Sequence, residues 1–478
     1  MCLAFISRRQ LKTRIGTITL LMVLTACSSE DSGSRAPDPT VIQRDIILIT
    51  VDTLRPDHMS LYGYERPTTP HLDEFFRDGA IYTRAYATES NTPSSVASIL
   101  SGLLPQEHGV RLFYQLLDDD IEILSQFLAP SHQTAAFVSN TVLTDEAMGM
   151  ASRFDYFDDF VSSRESLRMI YERDARKTTD AALAWLRGQR DNDRPLFLWL
   201  HYIDPHGPYN PPRDWPRSFS HDVLLPIDPE TTVPRYMIKP GADILYYVDA
   251  YDEEIAFVDH EVDRFLAGYG GLKAIDEAMI VFTADHGETL MEHELWFQHG
   301  YNIYEELIRV PLALRGPGIE IGLHNELTSS IDLVPTILAY SGYSIPRWMR
   351  GRDLFASLPV STEQIVFAEA VTGKVQFRTA VKDKIKWVQT VFNENGKAVL
   401  GGNGIYDLVT DAGETRLTPW PDRSSVAVQA LLSLIEVDPD PAGRPSDLIH
   451  GQRLTGPKIA PSVTEKNLDA LRSLGYVE

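Results

Sequence analysis

The chain has 478 residues and a formal net charge of −23, with 67 acidic against 44 basic side chains. An acidic surface of this kind repels nucleic acid and anionic lipid, so the sequence predicts no nucleic-acid partner. An anionic substrate would need a local positive centre such as a metal ion. The only cysteines are Cys2 and Cys27, which excludes a disulfide framework and a cysteine metal site from the rest of the chain.

The first residues predict export to the cell surface. A basic region precedes a short apolar stretch and consists of Arg8, Arg9, Lys12 and Arg14. The apolar stretch, 15–24, is too short to span a bilayer and runs into Leu-Thr-Ala-Cys27, which is typical of a lipoprotein signal peptide. We therefore expect residues 1–26 to be removed and residues 27–43 to form a flexible tether.

The mature protein is accordingly expected to be an exported bacterial lipoprotein, held on a membrane through lipidated Cys27 and facing the periplasm or the cell exterior. The paired arginines resemble a twin-arginine motif incompletely, so the Sec and Tat export routes both stay open. Cleavage removes four basic residues and leaves 40 basic against 67 acidic side chains, a net charge of about −27.

From about residue 45 the chain alternates between apolar strands and amphipathic helices. Strands are predicted at 46–51, 134–139, 196–201 and 278–283, and helices at 70–79, 93–101, 178–187 and 253–267. This alternation is typical of an α/β fold with a large, mostly parallel sheet covered by helices on both faces. We expect one large domain over residues 44–350.

Past about residue 350 the pattern changes to short alternating strands, at 378–384 and 386–391. A glycine-rich turn is predicted near 401–404, and helices are predicted at 424–435 and 468–477. This pattern indicates a smaller C-terminal subdomain, over residues 351–478, that contains an antiparallel sheet.

Two of the predicted strands run directly into acidic residues. Asp52 follows strand 46–51, and Asp285 and His286 follow strand 278–283. Ligands gather beyond the carboxyl ends of parallel strands, so these three side chains are expected to converge. Two carboxylates and an imidazole are suitable ligands for a divalent metal ion, which is what a hydrolase of anionic esters uses.

An ordered series of motifs then resembles the sulfatase family of the alkaline phosphatase superfamily. The motifs lie at 51–58, 69–73, 104–109, 204–208, 283–288, 304–311 and 405–414. The resemblance covers nearly the whole chain from residue 45 onward. It implies the sulfatase fold, an ester hydrolase of the 3.1 class and one divalent metal. Calcium is the most usual metal in the family, while manganese and zinc fit the same donors.

The nucleophile segment departs from the family pattern. Sulfatases have a cysteine or serine there that is converted to formylglycine, whereas counting back from Gly102 places Thr92 at that position. An ungapped match on the following Pro-Ser would place Asn91 there instead. We favour Thr92 because an amide does not attack an ester, although Thr92 is also suited to the start of a helix.

Four other residues are identified by the resemblance. His206 is expected to contact the transferred anion or to protonate the leaving group. His299, with Gln298 as the alternative, stands near the family's anion-binding lysine. Asn140, in a segment where the family has cationic residues, is expected to bind substrate, and His201 either binds substrate or only packs beside the site.

The sequence therefore predicts a metal-dependent hydrolase of a sulfuric or phosphoric ester, carried by a small molecule, a glycan or a lipid. The neutral donors favour a phosphodiester or phosphonate ester. Two alternatives stay open: a catalytically inactive binding lipoprotein of the same fold, and a transferase that moves a phospho group.

Overall fold

A nine-stranded sheet forms the centre of the computed structural model, which describes residues 44–164, 171–273, 275–357, 364–372, 375–394, 397–420, 424–437 and 458–459. Its strands are β1 (Ile46–Val51), β2 (Ala80–Tyr86), β3 (Gln133–Val138), β4 (Tyr156–Asp158), β5 (Leu196–Tyr202), β6 (Met279–Ala284), β7 (Arg309–Arg315), β8 (Gly322–His324) and β9 (Thr328–Ser329). The order across the sheet is β8-β2-β7-β6-β1-β5-β3-β4, and β9 also pairs with β2.

The sheet is mostly parallel because its central strands are buried on both faces. Every residue of β1, β5 and β6 is buried, and continuous apolar runs are what a doubly covered strand requires. β1 lies between β5 and β6 and is parallel to both. Only β7 runs against its neighbours, β2 and β6. The mostly parallel α/β architecture predicted from the sequence is confirmed.

The described part of the chain also contains α-helices. They are α1 (Pro70–Phe75), α2 (Thr92–Ser101), α3 (Pro105–His108), α4 (Leu124–Leu128), α5 (Asp145–Met148), α6 (Ala175–Gly188), α7 (Pro229–Thr232), α8 (Ile244–Gly270), α9 (Glu305–Ile308), α10 (Leu333–Tyr340) and α11 (Val426–Val437). Within the described residues, no helix combines the length and the apolar character needed to cross a bilayer.

A second, four-stranded antiparallel sheet lies toward the C-terminus. It consists of β10 (Ile365–Thr372), β11 (Val375–Lys382), β12 (Ile385–Glu394) and β13 (Lys397–Asp407), paired in chain order. Helix α11 packs mainly against β11. Two-residue strands also pair Gln115–Leu116 with Lys458–Ile459 and Ser163–Arg164 with Tyr171–Glu172.

The small sheet contacts the segment that leads from β2 to α2. The backbone N–H of Glu369, on β10, donates to the carbonyl of Thr88 at 2.9 Å, and Glu89 forms a parallel bridge with Glu369. All described residues belong to one compact unit, Pro37–Glu478. The division at residue 350 stays a prediction.

Two sequence predictions differ from the structure. The helix predicted at 253–267 is the second half of α8, which begins nine residues earlier at Ile244. The glycine-rich turn predicted near 401–404 lies inside β13, where Gly404 pairs with Val388. The helix predicted at 468–477 lies outside the described residues.

Candidate active site

The carboxyl ends of β1 and β6 bring Asp52 and Asp285 together. The last residues of these two strands pair directly, so the residue that follows each strand lies beside its counterpart. Both carboxylates are fully buried. Asp285 Oδ1 accepts hydrogen bonds from the backbone N–H of Thr53 at 3.3 Å and of His286 at 2.8 Å. The predicted convergence of strand ends is therefore present in the fold.

Thr92 is the first residue of α2 and reaches the same place. Asn91 caps the helix, because its Oδ1 accepts a hydrogen bond from the backbone N–H of Ser94 at 3.2 Å. The Thr92 hydroxyl is thus not needed as a cap. It donates to Asp52 Oδ1 at 3.4 Å and lies 3.2 Å from His286 Nε2.

The hydrogen bonds of His286 define its tautomer. Its Nδ1 lies 2.9 Å from the carbonyl oxygen of Gly287, and a carbonyl can only accept, so Nδ1 carries the proton. The lone pair of Nε2 therefore points into the site, 3.8 Å from Asp52 Oδ1 and 3.6 Å from Asp285 Oδ2. Burial, and then the charge of His299, lowers the pKa of His286 to about 3, which keeps the ring neutral.

Asn140 and His201 both contact Asp52. The Asn140 Nδ2 group donates to Asp52 Oδ2 at 2.6 Å, and His201 Nε2 lies 3.5 Å from the same oxygen. The sequence predicted substrate contacts for both side chains, and that role stays a prediction. The contacts in the structure are with a predicted metal ligand.

The buried polar atoms of this cluster fit a divalent cation. One ligand atom each from Asp52, His201 and Asp285 lies within 4.8 Å of the others. Among the described residues, His201 Nε2 and Asp285 Oδ2 are buried without a hydrogen-bond partner. Leaving such an atom unpaired costs about 1–3 kcal/mol. A cation bound between these atoms would remove that cost.

The two carboxylates also need a counter-charge. Burial opposes ionisation of Asp52, but the neighbouring histidines, His201 first among them, hold its pKa well below the usual range. Burial, and then the charge of Asp52, raises the pKa of Asp285 well above its usual value. Two buried carboxylates this close do not both ionise without a cation beside them.

His206 and His299 lie next to these groups as a pair. Their ring centroids are 5.0 Å apart, and the His299 ring is 4.7 Å from that of His286. His299 Nδ1 lies 3.1 Å from Glu288 Oε1, and the other oxygen of Glu288 accepts a hydrogen bond from the Tyr209 hydroxyl at 3.1 Å. Glu288 thus orients His299, and both predicted catalytic histidines lie beside the predicted metal ligands.

Asp204, in the loop after β5, contacts the start of helix α6. Its Oδ2 accepts a hydrogen bond from the backbone N–H of Ala175, at the start of α6, at 2.8 Å. Burial, and then the charges of Asp174 and Glu172, raises the pKa of Asp204 to about 8. Asp204 therefore stabilises the start of a helix.

Four residues that support the site carry no clear sequence pattern. Thr50 contacts His201 and accepts a hydrogen bond from Trp199. Glu288 contacts His299 and accepts a hydrogen bond from Tyr209. Thr50 and Trp199 belong to apolar strands, and the sequence does not distinguish them from ordinary core residues. Glu288 closes the motif at 283–288, so its position in that motif was the one available signal.

The chain was compared with known proteins. The family model Sulfatase matches residues 44–343. An arylsulfatase from Clostridium perfringens is 24% identical over 427 residues, which cover 74% of this chain and 86% of that protein. Among solved structures, a 2-O GAG sulfatase superposes with a TM-score of 0.65 at 20% identity, covering 88% of this chain and 100% of that one. A phosphonate monoester hydrolase from Silicibacter pomeroyi gives 0.63 at 20% identity, covering 82% and 95%.

Acidic and histidine side chains lie at the sheet edge, beside a hydroxyl at the start of a helix. Hydrolases that act on anionic esters use groups of this kind. The chain belongs to the sulfatase family, within the alkaline phosphatase superfamily. Its substrate is accordingly an anionic ester.

Proposed function

We propose that this hydrolase cleaves a sulfuric or phosphoric ester with Thr92 as the direct nucleophile. The observation that carries the proposal is the position of the Thr92 hydroxyl, buried at the start of α2 and 3.4 Å from Asp52 Oδ1. Threonine cannot become the formylglycine aldehyde, because its β carbon carries a methyl group. Both cysteines lie within the first 27 residues, so no thiol takes its place.

The divalent cation would be held by Asp52, Asp285 and His286. A divalent cation held by these side chains would lower the pKa of the nearby hydroxyl and offset negative charge on the transferred group. The ion needs both carboxylates ionised and the histidine neutral, and the lone pair of His286 Nε2 already points inward.

In the first step, Thr92 Oγ1 loses its proton to solvent and attacks the phosphorus or sulfur atom of the ester. The new Thr92 ester bond forms as the bond to the leaving oxygen breaks. His206 donates a proton to that oxygen. His299, held by Glu288 at 3.1 Å, donates a hydrogen bond to an oxygen of the transferred group.

In the second step, water attacks the same phosphorus or sulfur atom. His206, now unprotonated, accepts the proton of the water, and the bond to Thr92 Oγ1 breaks. Thr92 recovers its proton from solvent, and the acid anion leaves. The start of α2 favours this anion throughout, because helix N-termini carry partial positive charge.

The transferred group is proposed to be phosphoryl or phosphonyl in a diester or phosphonate ester. The side chains that lower the pKa of Asp52 are the histidines His201, His206 and His286 rather than lysine or arginine. Where a sulfatase has cationic residues, Asn140 offers a neutral amide. An ester of lower charge suits such a pocket. Phosphonate monoester hydrolases share this fold.

A panel of chromogenic esters tests the proposal. Aryl sulfate, phosphate monoester, phosphodiester and phosphonate ester are supplied to the purified chain with manganese, zinc or calcium. The expected result is fastest turnover of the diester or phosphonate, abolished in Thr92→Ala. A clear preference for monoesters would refute the assignment of the group, and full activity of Thr92→Ala would refute the assignment of the nucleophile.

We also propose that the enzyme acts outside the cytoplasm, attached to a membrane through lipidated Cys27. The motif at 24–27 and the basic region before it support this location. A glycan or lipid ester at the cell surface would be accessible to an enzyme tethered in this way.

A further inference from the structure

We infer that His201 binds the divalent cation through Nε2, as a second imidazole ligand beside His286. The centre then has two carboxylates and two imidazoles, which suits zinc or manganese rather than calcium. The inference deepens the proposed function, because it rests on the same metal-assisted site. It changes the role of His201 from the substrate contact predicted by the sequence to metal ligation.

The register of the sheet places His201 at the metal site. It is the second-last residue of β5 and pairs with Thr50 on β1. Asp52 follows β1 two residues later. The His201 ring is fully buried, and its Nε2 lies 3.5 Å from Asp52 Oδ2. A ring nitrogen of His201 lies within 4.8 Å of a carboxylate oxygen of Asp285.

The hydrogen bonds of Thr50 favour the tautomer that a metal needs. Trp199 Nε1–H donates to Thr50 Oγ1 at 2.9 Å, and Thr50 Oγ1 donates to the carbonyl of Leu200 at 3.3 Å. A hydroxyl has only one proton to give. With that proton directed to Leu200, Thr50 Oγ1 accepts from His201 Nδ1, 2.9 Å away. With the proton on Nδ1, the lone pair of Nε2 points into the site.

The opposite tautomer is less suited to the observed distances. It would require His201 Nε2–H to donate to Asp52 Oδ2, but 3.5 Å exceeds the usual 2.7–3.2 Å for such a bond. That oxygen already accepts from Asn140 at 2.6 Å. Among the described residues, His201 Nε2 has no hydrogen-bond partner. A metal ion supplies the partner that the protein does not.

The donor set decides the class of metal. Calcium prefers six to eight oxygen ligands, whereas imidazole nitrogen suits zinc and other transition metals. A neutral ring that donates its other N–H to a fixed acceptor is the usual arrangement of a metal-binding histidine. His201 with Thr50, and His286 with Gly287, both have this arrangement.

Metal binding tests the inference without any substrate. The full chain is stripped with a chelator and titrated with Mn²⁺, Zn²⁺ or Ca²⁺ against a competing indicator. We expect His201→Gln to weaken Mn²⁺ and Zn²⁺ binding by at least ~10-fold, and Thr50→Val to weaken it by about 10–100-fold. Ca²⁺ should bind more weakly than either ion in the wild type. The matched control is Thr283→Val, because Thr283 pairs with Thr50 but donates to the carbonyl of Pro311 at 2.8 Å.

Electron spin-echo spectroscopy of the Mn²⁺-loaded wild type counts the imidazole ligands even if a variant fails to fold. Two histidine nitrogens are expected, and one should be lost in His201→Gln. A single nitrogen in the wild type, or unchanged affinity in both His201→Gln and Thr50→Val, would overturn the inference and leave the role of Thr92 intact. A wild type that binds none of the three ions would overturn both.

Discussion

At the scale of single residues, the two histidines proposed to act on the anion differ in how firmly they are held and in how deeply they are buried. His299 is held by Glu288 at 3.1 Å, so its ring is fixed for hydrogen bonding. His206 lies in the loop after β5 and is only partly buried, which leaves it beside the space where a leaving group departs. This difference is the reason we propose proton donation by His206 and anion contact by His299.

The assignment of His206 predicts a dependence on the leaving group. His206→Gln should lower turnover of an ester with a poor, alkyl leaving group by roughly 10²–10⁴-fold, because that oxygen needs a proton to depart. Esters of nitrophenol, which leave without help, should lose much less. The measurement is kcat across a series of leaving groups. An equal loss across the series would assign His206 to binding instead.

Asp204 predicts how stability changes with pH. Its pKa is raised to about 8 in the fold by burial, Asp174 and Glu172, against about 3.9 in an unfolded chain. The unfolded state therefore releases its proton first, and the favourable contribution of the neutral carboxyl, fully present below about pH 4, is lost as the pH rises through about 8.

Asp204→Asn removes that titration and keeps an acceptor for the backbone of Ala175. The variant should become more stable relative to wild type as the pH rises from 4 to 8, by more than about 1 kcal/mol at pH 8. Urea unfolding at a series of pH values measures the difference. A difference that does not change with pH would show that Asp204 does not titrate in this range.

The sequence identified the strand-end residues of the candidate site more readily than their contacts with other side chains. Asp52, Asp285 and His286 follow apolar strands, a pattern visible in one dimension. The choice between Thr92 and Asn91 needed the cap of α2, which only the structure shows. The contact of His201 with Asp52 depends on strand register and on a tautomer, and neither can be read from residue order.

At the scale of elements, continuous apolar strands were predicted well because burial on both faces leaves no other pattern. β1 has the predicted bounds, Ile46–Val51. The start of α8 was missed because its first turns mix aliphatic residues with tyrosines and acidic residues, although Asp243 caps it through the N–H groups of Leu245 and Tyr246.

The glycines of β13 explain the predicted turn that is absent. A Cβ on Gly404 would lie 2.5 Å from Leu417 Cγ and 2.7 Å from the carbonyl oxygen of Thr418. The glycine therefore serves close packing against a neighbouring segment rather than a turn. Residue type alone does not separate these two uses of glycine.

The small sheet is joined to the catalytic segment by a buried ion pair. Arg111 Nε lies 2.7 Å from Glu369 Oε1, with side-chain exposures of 0% and 5%. The carbonyl of Arg111 accepts a hydrogen bond from Asn91 at 3.3 Å. The ion pair is therefore linked to the residue that precedes Thr92. Gln376 also donates to Glu369 at 2.6 Å.

Removing one member of this pair should be costly. Arg111→Met leaves the negative charge of Glu369 buried without the positive charge of Arg111 beside it. This should lower the free energy of unfolding by about 3 kcal/mol or more. Arg77→Met is the matched control, because Arg77 and Glu74 form an ion pair that is about two-thirds exposed on both sides and worth less than about 1 kcal/mol. Equal losses in the two variants, by chemical unfolding, would contradict a special role for the buried pair.

At the scale of the whole molecule, charge and location are connected. Cleavage before Cys27 would leave 40 basic and 67 acidic side chains. Such a chain would not be attracted to an anionic membrane, so attachment would depend on the lipid. Cys27→Ala should move the protein from the membrane fraction to the soluble fraction of a bacterial host. Incorporation of labelled fatty acid, present in wild type and lost in the variant, is the matching measurement. A variant that stays with the membranes would contradict the proposed anchor.

The central claim is that the hydroxyl of Thr92 forms a covalent ester during turnover. Its most direct test is mass spectrometry of the chain after brief reaction with an activated phosphonate ester and acid quenching. We predict a mass increase equal to one phosphonyl group on Thr92, absent from Thr92→Ala. Turnover with no adduct, or an adduct on Ser94 or Ser95 with Thr92 unmodified, would contradict the account.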